Sequence, residues 1–284
     1  MVQVKVYYDE GMPQEFSFKG IEELSKIVED VKENVCMVLA RLDPRVLNVS
    51  VQDLIAQASS LHAMGIISKG TGFLIHSGYV VTAYHVVEGA YKIECLTPQN
   101  TAIELELVRY SKLHDLALLK PENKWSKGIS IKSSTPHFKK GDLVFTLGYP
   151  LRYNVPEPIL SVGFLSSVQE REGVRTLIVN AAFNVGNSGG PLLNLREELL
   201  GVVVAKSVII EPLISVALQV LERPGVELVY GSIELPGGIR EEVTLSKIIR
   251  TFMKWVIENV QTNIGEAVSV EHLVNLLKSL EIRS

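Results

Sequence analysis

From Gly70 to Val220 the chain is a succession of short apolar runs cut by turn residues, and this rhythm restricts the fold more than any other feature. Thr71 to His76, the turn Ser77-Gly78 and Tyr79 to Thr82 read as a hairpin. Tyr91 to Leu96 is a further strand, and Ile103, Leu105 and Leu107 alternate with Glu104 and Glu106, the pattern of a sheet wet on one face. Leu116 to Lys120 follows as a continuous apolar strand. Pro121 to Lys140 is polar and reads as a connection. A second block then begins, with Asp142 to Leu147, Ser161 to Leu165, Leu177 to Phe183, Leu199 to Ala205 and Leu213 to Val220. Two blocks of short strands parted by a linker predict two packed antiparallel β-barrels, a mainly β fold.

The ends differ in character. Residues 1–32 read as a hairpin followed by an amphipathic helix, with Ile21, Leu24, Ile27, Val28 and Val31 at helical spacing. A capped helix is expected over Leu54 to Leu61. After Val226 to Leu235, Pro236-Gly237-Gly238 breaks the chain, and two helices are expected, one over Leu245 to Val260 and one begun at Ser269. The division expected is therefore 1–32, a β domain over 33–235 (barrel one about 33–125, barrel two about 140–222) and a helical tail over 236–284. The apolar stripes of the N-terminal unit and the C-terminal helices serve either packing within one subunit or contacts between copies in a homo-oligomer.

Composition excludes several classes of function. With 284 residues and 46% apolar content the chain can bury a sizeable core, and a net charge of −4 does not favour nucleic acid as a partner. Cys36 and Cys95 both lie in apolar runs and suit buried thiols; no ligand cluster suggests a metal, and no cofactor is expected. The N-terminus lacks an apolar leader, and the apolar window Leu199 to Leu221 is interrupted by Lys206, Glu211 and Pro212. No membrane span and a cytoplasmic location are the expectations that follow.

Chemistry concentrates in Asn184-Val185-Gly186-Asn187-Ser188-Gly189-Gly190-Pro191. A serine among three glycines sits on a backbone that can turn sharply and be approached closely. A serine hydroxyl is a weak nucleophile and needs a base, itself oriented by an acid. His85 follows a strand in the first block, and Asp115 opens one. The order His, Asp, Ser, with the first two on one barrel and the third on the other, is one of the orders in which a nucleophilic triad occurs.

The local contexts strengthen this reading. Thr71-Gly72-Phe73 with Thr82-Ala83-Tyr84-His85-Val86-Val87, His114-Asp115-Leu116-Ala117-Leu118-Leu119-Lys120 and Gly186-Asn187-Ser188-Gly189-Gly190-Pro191-Leu192 resemble the three motifs of trypsin-like serine proteases. Within these, over about residues 34–222, the chain resembles the HtrA (Deg) family. The resemblance implies a site in the cleft between barrels, with His85 as general base, Asp115 holding its tautomer and Ser188 as nucleophile. It also implies an oxyanion hole of main-chain N–H groups over Gly186, Asn187 and Ser188. Asn187 stands where digestive relatives carry an aspartate that pairs with a new N-terminus after cleavage, so ordering of loops is expected to govern activity instead. The primary pocket implied is lined by Ala182 and Phe183 and by Ser215, Val216 and Ala217, and suits small to medium apolar side chains of unfolded polypeptide substrates. Two other readings stay open: a latent or inactive protease-like module that binds peptides, and a maturation protease with one dedicated substrate.

Overall fold

In the computed structural model, the described residues are 4–6, 14–16, 19–41, 66–132, 138–150, 157–206, 229–235, 239–249, 251–252 and 263–280. The expected helix over Leu54 to Leu61 and the expected strand Leu213 to Val220 lie outside them.

Barrel one closes in the order β3 (Val35–Arg41), β4 (Ile66–Leu74), β5 (Val80–Ala83), β8 (Leu116–Pro121), β7 (Ala102–Ser111) and β6 (Lys92–Leu96). All its pairings are antiparallel. The unbroken apolar run of β8 has a direct cause. Ala117 and Leu119 point into the barrel with Val38, Leu74 and Val80. Leu116 and Leu118 point the other way, into a cluster shared with Phe145, Leu147, Leu193 and Val202 of the second barrel. A strand buried on both faces loses the alternation that a half-wet strand keeps, as β7 does. Cys36 and Cys95 are buried free thiols in barrel one, and burial pushes the Cys36 thiol up, away from nucleophilic reactivity.

Barrel two closes in the order β10 (Ile159–Arg171), β11 (Val174–Val179), β16 (Gly265–Ser269), β13 (Leu199–Lys206), β12 (Pro191–Asn194) and β9 (Leu143–Gly148). Its sixth strand therefore comes from beyond the 140–222 span expected for this barrel. β16 pairs with β11 through Thr176↔Val268 and with β13 through Val202↔Val268. The sequence Gly-Glu-Ala-Val-Ser has too few apolar residues to announce a strand; its place is fixed by two distant ladders. The intervening segment 207–262 is a separate compact unit that contains a hairpin of β14 (Val229–Leu235) and β15 (Ile239–Thr244) turning over the expected break at 236–238. Residues 245–249 and 251–252 are helical, within the expected tail helix.

The N-terminal hairpin β1 (Val4–Val6) and β2 (Gln14–Phe16) precedes α1 (Lys19–Lys32). Ile27 and Val31 of α1 are buried in the chain's own core cluster, so its apolar stripe packs within one subunit. The same holds for the last helix, which we label α3 (Val270–Lys278): Val270, Leu273 and Leu276 join that cluster.

Closure of barrel two depends on a small residue at the start of β16. A methyl group at Gly265 would overlap the ring of Phe183, itself buried at 4% exposure. Gly265→Ala is expected to destabilise the chain by about 1–3 kcal/mol through overpacking, measured as a lower urea midpoint with unchanged slope. A wild-type midpoint would mean that Phe183 does not pack on β16.

Candidate active site

The pairing of β5 with β8 brings two of the expected residues together. Ala83 pairs with Leu116, so the residues just past one strand end and just before the other must meet. Beyond Ala83 the chain forms one helical turn, α2 (Tyr84–Val87), with Val86 and Val87 each 1% exposed and anchoring it. Tyr84 N–H donates to the Asp115 carbonyl at 3.0 Å, and its ring stacks on Tyr110 with centroids 4.4 Å apart. His85 then faces Asp115: its main-chain N–H donates to Oδ1 at 2.8 Å, and Nδ1 lies 2.6 Å from Oδ2. An ionised carboxylate can only accept, so this contact places the proton on Nδ1 and leaves the lone pair on Nε2. Asp115 adopts φ 51°, a left-handed conformation that aspartate reaches more readily than most residues.

Ser188 lies in the turn between β11 and β12. The peptide planes of this turn are fixed one by one. Asn187 N–H donates to the Asn184 carbonyl at 2.9 Å, and Gly190 N–H to the Asn187 carbonyl at 2.9 Å. In a trans peptide the N–H points opposite to the C=O, so holding the Asn187 carbonyl inward turns the Ser188 N–H outward. Gly189 N–H donates to Val203 O at 2.6 Å, and Val203 N–H returns to Gly190 O at 2.9 Å, tying the turn to β13. Gly189 has φ 88°, and a Cβ there would overlap the Thr71 carbonyl and the Thr82 hydroxyl. Only glycine fits both constraints.

Three observations set this turn beside His85. A Cβ at Gly70 would lie 2.6 Å from Val86 Cγ2, next to His85 in sequence, and 3.1 Å from the Ser188 carbonyl. Thr71 N–H donates to that carbonyl at 2.8 Å. A Cβ at Gly189 would be 2.9 Å from Ala83 N. The Ser188 hydroxyl itself is turned to the Val204 carbonyl at 3.5 Å, and among the described residues no hydrogen bond joins it to His85. His85 and Asp115 are joined, and the Ser188 hydroxyl rests off His85.

Residues 70–202 match the trypsin-like peptidase domain family model. Over this stretch, from β4 to β13, the chain is similar to the trypsin-like peptidase domain. Among curated proteins it is 28% identical over 162 residues to "Serine protease Do-like HtrA" of Lactococcus lactis, covering 52% of this chain and 40% of that one. It is 32% identical over 137 residues to "Probable periplasmic serine endoprotease DegP-like" of Chlamydia pneumoniae, covering 47% of this chain and 28% of that one. The matched stretches of the first relatives span 22% to 40% of those proteins' own lengths. Among solved structures, the active form of the Rv3671c protease from M. tuberculosis superposes with a TM-score of 0.58 at 17% identity, over 91% of this chain and 85% of that one, a likeness of fold. Over the matched stretches the chain is thus similar to the HtrA and DegP-like proteins. The cytoplasmic location expected from the sequence is overturned by these relatives, several of which are named periplasmic. Among the described residues no helix is long and apolar enough to cross a membrane, and no cluster of His, Cys, Asp and Glu could hold a metal ion.

Other expected residues are placed differently. Asn187 N–H is committed to the Asn184 carbonyl, whereas among the described residues the Gly186 and Ser188 N–H groups have no protein acceptor. The Asn187 side chain is 1% exposed, with neither amide atom hydrogen-bonded. Phe183 points into the core of barrel two with Leu177, Val179 and Ala181 and does not line an open pocket. Ala182 is partly buried, and its carbonyl accepts from the Ser161 hydroxyl at 3.1 Å. Ser215, Val216 and Ala217 lie outside the described residues. Sequence reasoning assigned no role to Val203 and Val204 of β13 or to the hydroxyls of Thr71 and Thr82, because β-branched residues in strands carry no mark of a polar duty.

Outside the matched stretch, α3 packs against the turn that presents Asp115. His272 of α3 stacks on His114 with centroids 4.1 Å apart, and His114 Nδ1 lies 2.8 Å from the Ser111 hydroxyl. His272 Nε2 accepts Arg175 N–H at 2.9 Å and so carries no proton. Burial lowers the pKa of both rings; for His272 the facing His114 and Arg175 lower it further, while Glu271 and Glu170 oppose. The folded state therefore favours neutral rings, while the unfolded chain takes up protons near pH 6.5. Stability is present above that pH and falls as pH drops below it. His272→Gln keeps an acceptor for Arg175 N–H but does not titrate, and is expected to lose less melting temperature than wild type between pH 7 and 5. Equal losses would show that His272 does not contribute to the acid response.

Proposed function

We propose that this chain is a serine endopeptidase that cuts polypeptides through an acyl-enzyme. The observation that carries the reading is the doubly bonded His85–Asp115 pair, at 2.6 and 2.8 Å, beside a serine turn whose Gly186 and Ser188 N–H groups have no protein acceptor among the described residues. In this reading Ser188 Oγ attacks the scissile carbonyl carbon while His85 Nε2 takes its proton. The oxygen that gains charge is held by Gly186 and Ser188 N–H. The C–N bond then breaks as Nε2 returns the proton to the leaving amine. Water, deprotonated by His85, attacks the ester, and the proton passes back to Ser188 as the acid product leaves. Asp115 orients the imidazole and stabilises its protonated form.

The substrates proposed are unfolded or exposed polypeptides with a small to medium apolar side chain before the cut. Support comes from the uncharged residues Ala182 and Ser215-Val216-Ala217 expected at the pocket and from relatives named for proteolysis. The names of the periplasmic relatives support action outside the cytoplasm.

A second reading is favoured by one observation, the Ser188 hydroxyl resting on Val204 instead of His85. In it the domain binds peptides and is catalytically latent. A fluorophosphonate probe separates the two. An active enzyme labels at Ser188, Ser188→Ala abolishes labelling, and Asp115→Asn lowers turnover of an unfolded test polypeptide by about 10³–10⁴. Wild type labelling no better than Ser188→Ala would reject the active reading.

A further inference from the structure

One residue of barrel one grips both sides of the serine turn. Thr71 on β4 has no exposed surface, and its four polar main-chain and side-chain connections are all made. Its N–H donates to the Ser188 carbonyl at 2.8 Å. Its Oγ1 donates to the Gly186 carbonyl at 2.6 Å and accepts Tyr149 N–H at 3.0 Å. Its carbonyl accepts the hydroxyl of Thr82, equally buried, at 2.7 Å.

These bonds have a consequence for the two donor groups of the turn. The Gly186 carbonyl belongs to the peptide that links Gly186 to Asn187, so its anchoring sets ψ at Gly186. The Ser188 carbonyl sets ψ at Ser188 in the same way. Thr71 thereby clamps the backbone on the far side of Gly186 and of Ser188, the two residues whose N–H groups the proposed mechanism uses. The Tyr149 N–H fixes the remaining freedom of the hydroxyl: having accepted from barrel two, Oγ1 turns its single proton to Gly186. A hydroxyl at this place ties barrel one, the end of β9 and the serine turn to one atom.

We propose that Thr71 is a positioning residue for the oxyanion donors, acting through the Gly186 carbonyl. The proposal rests on the endopeptidase reading and deepens it. Thr71 does not reach the substrate. It holds the curvature of the turn so that Gly186 and Ser188 N–H converge on one point. Because their charge partner develops only as the tetrahedral intermediate forms, the loss of this clamp falls on kcat more than on substrate binding.

The test compares Thr71→Val, which keeps shape and removes the hydroxyl, with Thr71→Ser, which keeps the hydroxyl, and Thr71→Cys, a weaker donor of similar size. Removal of a whole oxyanion donor typically costs about 10²–10³ in rate, so displacement of the pair in Thr71→Val is expected to lower kcat about 10- to 100-fold, with KM within about twofold. Affinity for a peptide boronate, whose tetrahedral adduct places an oxygen between the donors, is expected to fall by a similar factor. Thr71→Ser is expected to restore both, and Thr71→Cys to lie between. Wild-type kcat in Thr71→Val, or a loss in Thr71→Ser equal to that in Thr71→Val, would overturn the proposal. If Thr71→Val does not fold, Thr71→Cys decides: kcat and boronate affinity equal to wild type would overturn it.

A second measurement keeps this result separate from the fate of the endopeptidase reading. Wild type that matches Ser188→Ala in labelling and turnover refutes that reading. Amide exchange over residues 184–193 still reads the clamp: faster exchange in Thr71→Val, or in Thr71→Cys if the valine variant does not fold, with wild-type protection in Thr71→Ser supports it. Unchanged protection in the variant lacking the full donor rejects it.

Discussion

The β5–β8 ladder, in the register Ala83↔Leu116, is the constraint on which the site depends. Side chains alternate along a strand, so a slip of one residue would turn Leu116 and Leu118 into the barrel and Ala117 and Leu119 out of it. Both sets are fully buried, in two different apolar clusters, so neither face can exchange with water to accommodate a slip. The register is therefore fixed by packing, and it is this register that makes His85 and Asp115 meet just past the strand ends. The His85–Asp115 pair inherits its geometry from hydrophobic burial.

The serine turn has a different origin for its geometry. It belongs to barrel two, which holds it through Val203, but it is also held by hydrogen bonds from barrel one made by Thr71, whose carbonyl Thr82 in turn engages. Buried hydroxyls that lack partners cost about 1–3 kcal/mol each, so Thr71, with every polar group engaged, favours one arrangement of the two barrels over nearby alternatives. The apolar seam of Leu116, Leu118, Phe145, Leu147 and Val202 supplies attraction without direction, and the threonines supply direction. On the far side of the same region α3 bridges the barrels: its end carbonyl at Ser279 accepts from Arg109 of β7 at 2.6 Å, and His272 covers the turn before Asp115.

These origins explain what was legible in the sequence. The two barrels, the His85–Asp115 pair and the serine turn announced themselves through local signals: turn residues, an acid opening an apolar run, and glycines around one hydroxyl. Strand β16 did not. Gly265–Ser269 is a strand because β11 and β13 need a neighbour, and that need arises from pairings across the separate unit 207–262. Phe183 misled because its place before Ser188 suggests a pocket wall, whereas the glycine at 265 opens a slot for its ring inside the barrel. Asn187 misled as a donor because a single hydrogen bond within the turn, to Asn184, decides which way its peptide faces. Local chemistry is visible in a sequence; the direction of one peptide plane is not.

The resting position of Ser188 follows the same division. Its contact with Val204 is 3.5 Å long, at the outer limit of a hydrogen bond, and such a contact holds a hydroxyl weakly. Staggered side-chain rotamers interconvert readily, and catalytic hydrogen bonds often tighten only when substrate is bound. The rotamer alone is thus no argument for permanent inactivity. The backbone is harder to change. The carbonyls of Gly186, Asn187 and Ser188 are each held by a donor of 2.6 to 2.9 Å. By contrast, among the described residues no hydrogen bond holds the carbonyl of Val185, which is 42% exposed and begins the peptide carrying the Gly186 N–H. Of the two donors, then, the Ser188 N–H is fixed from both sides, while the Gly186 N–H is fixed from one side only, by Thr71. In the proposed mechanism a bound carbonyl oxygen would complete the second side, so the turn's least constrained peptide is the one that substrate would contact.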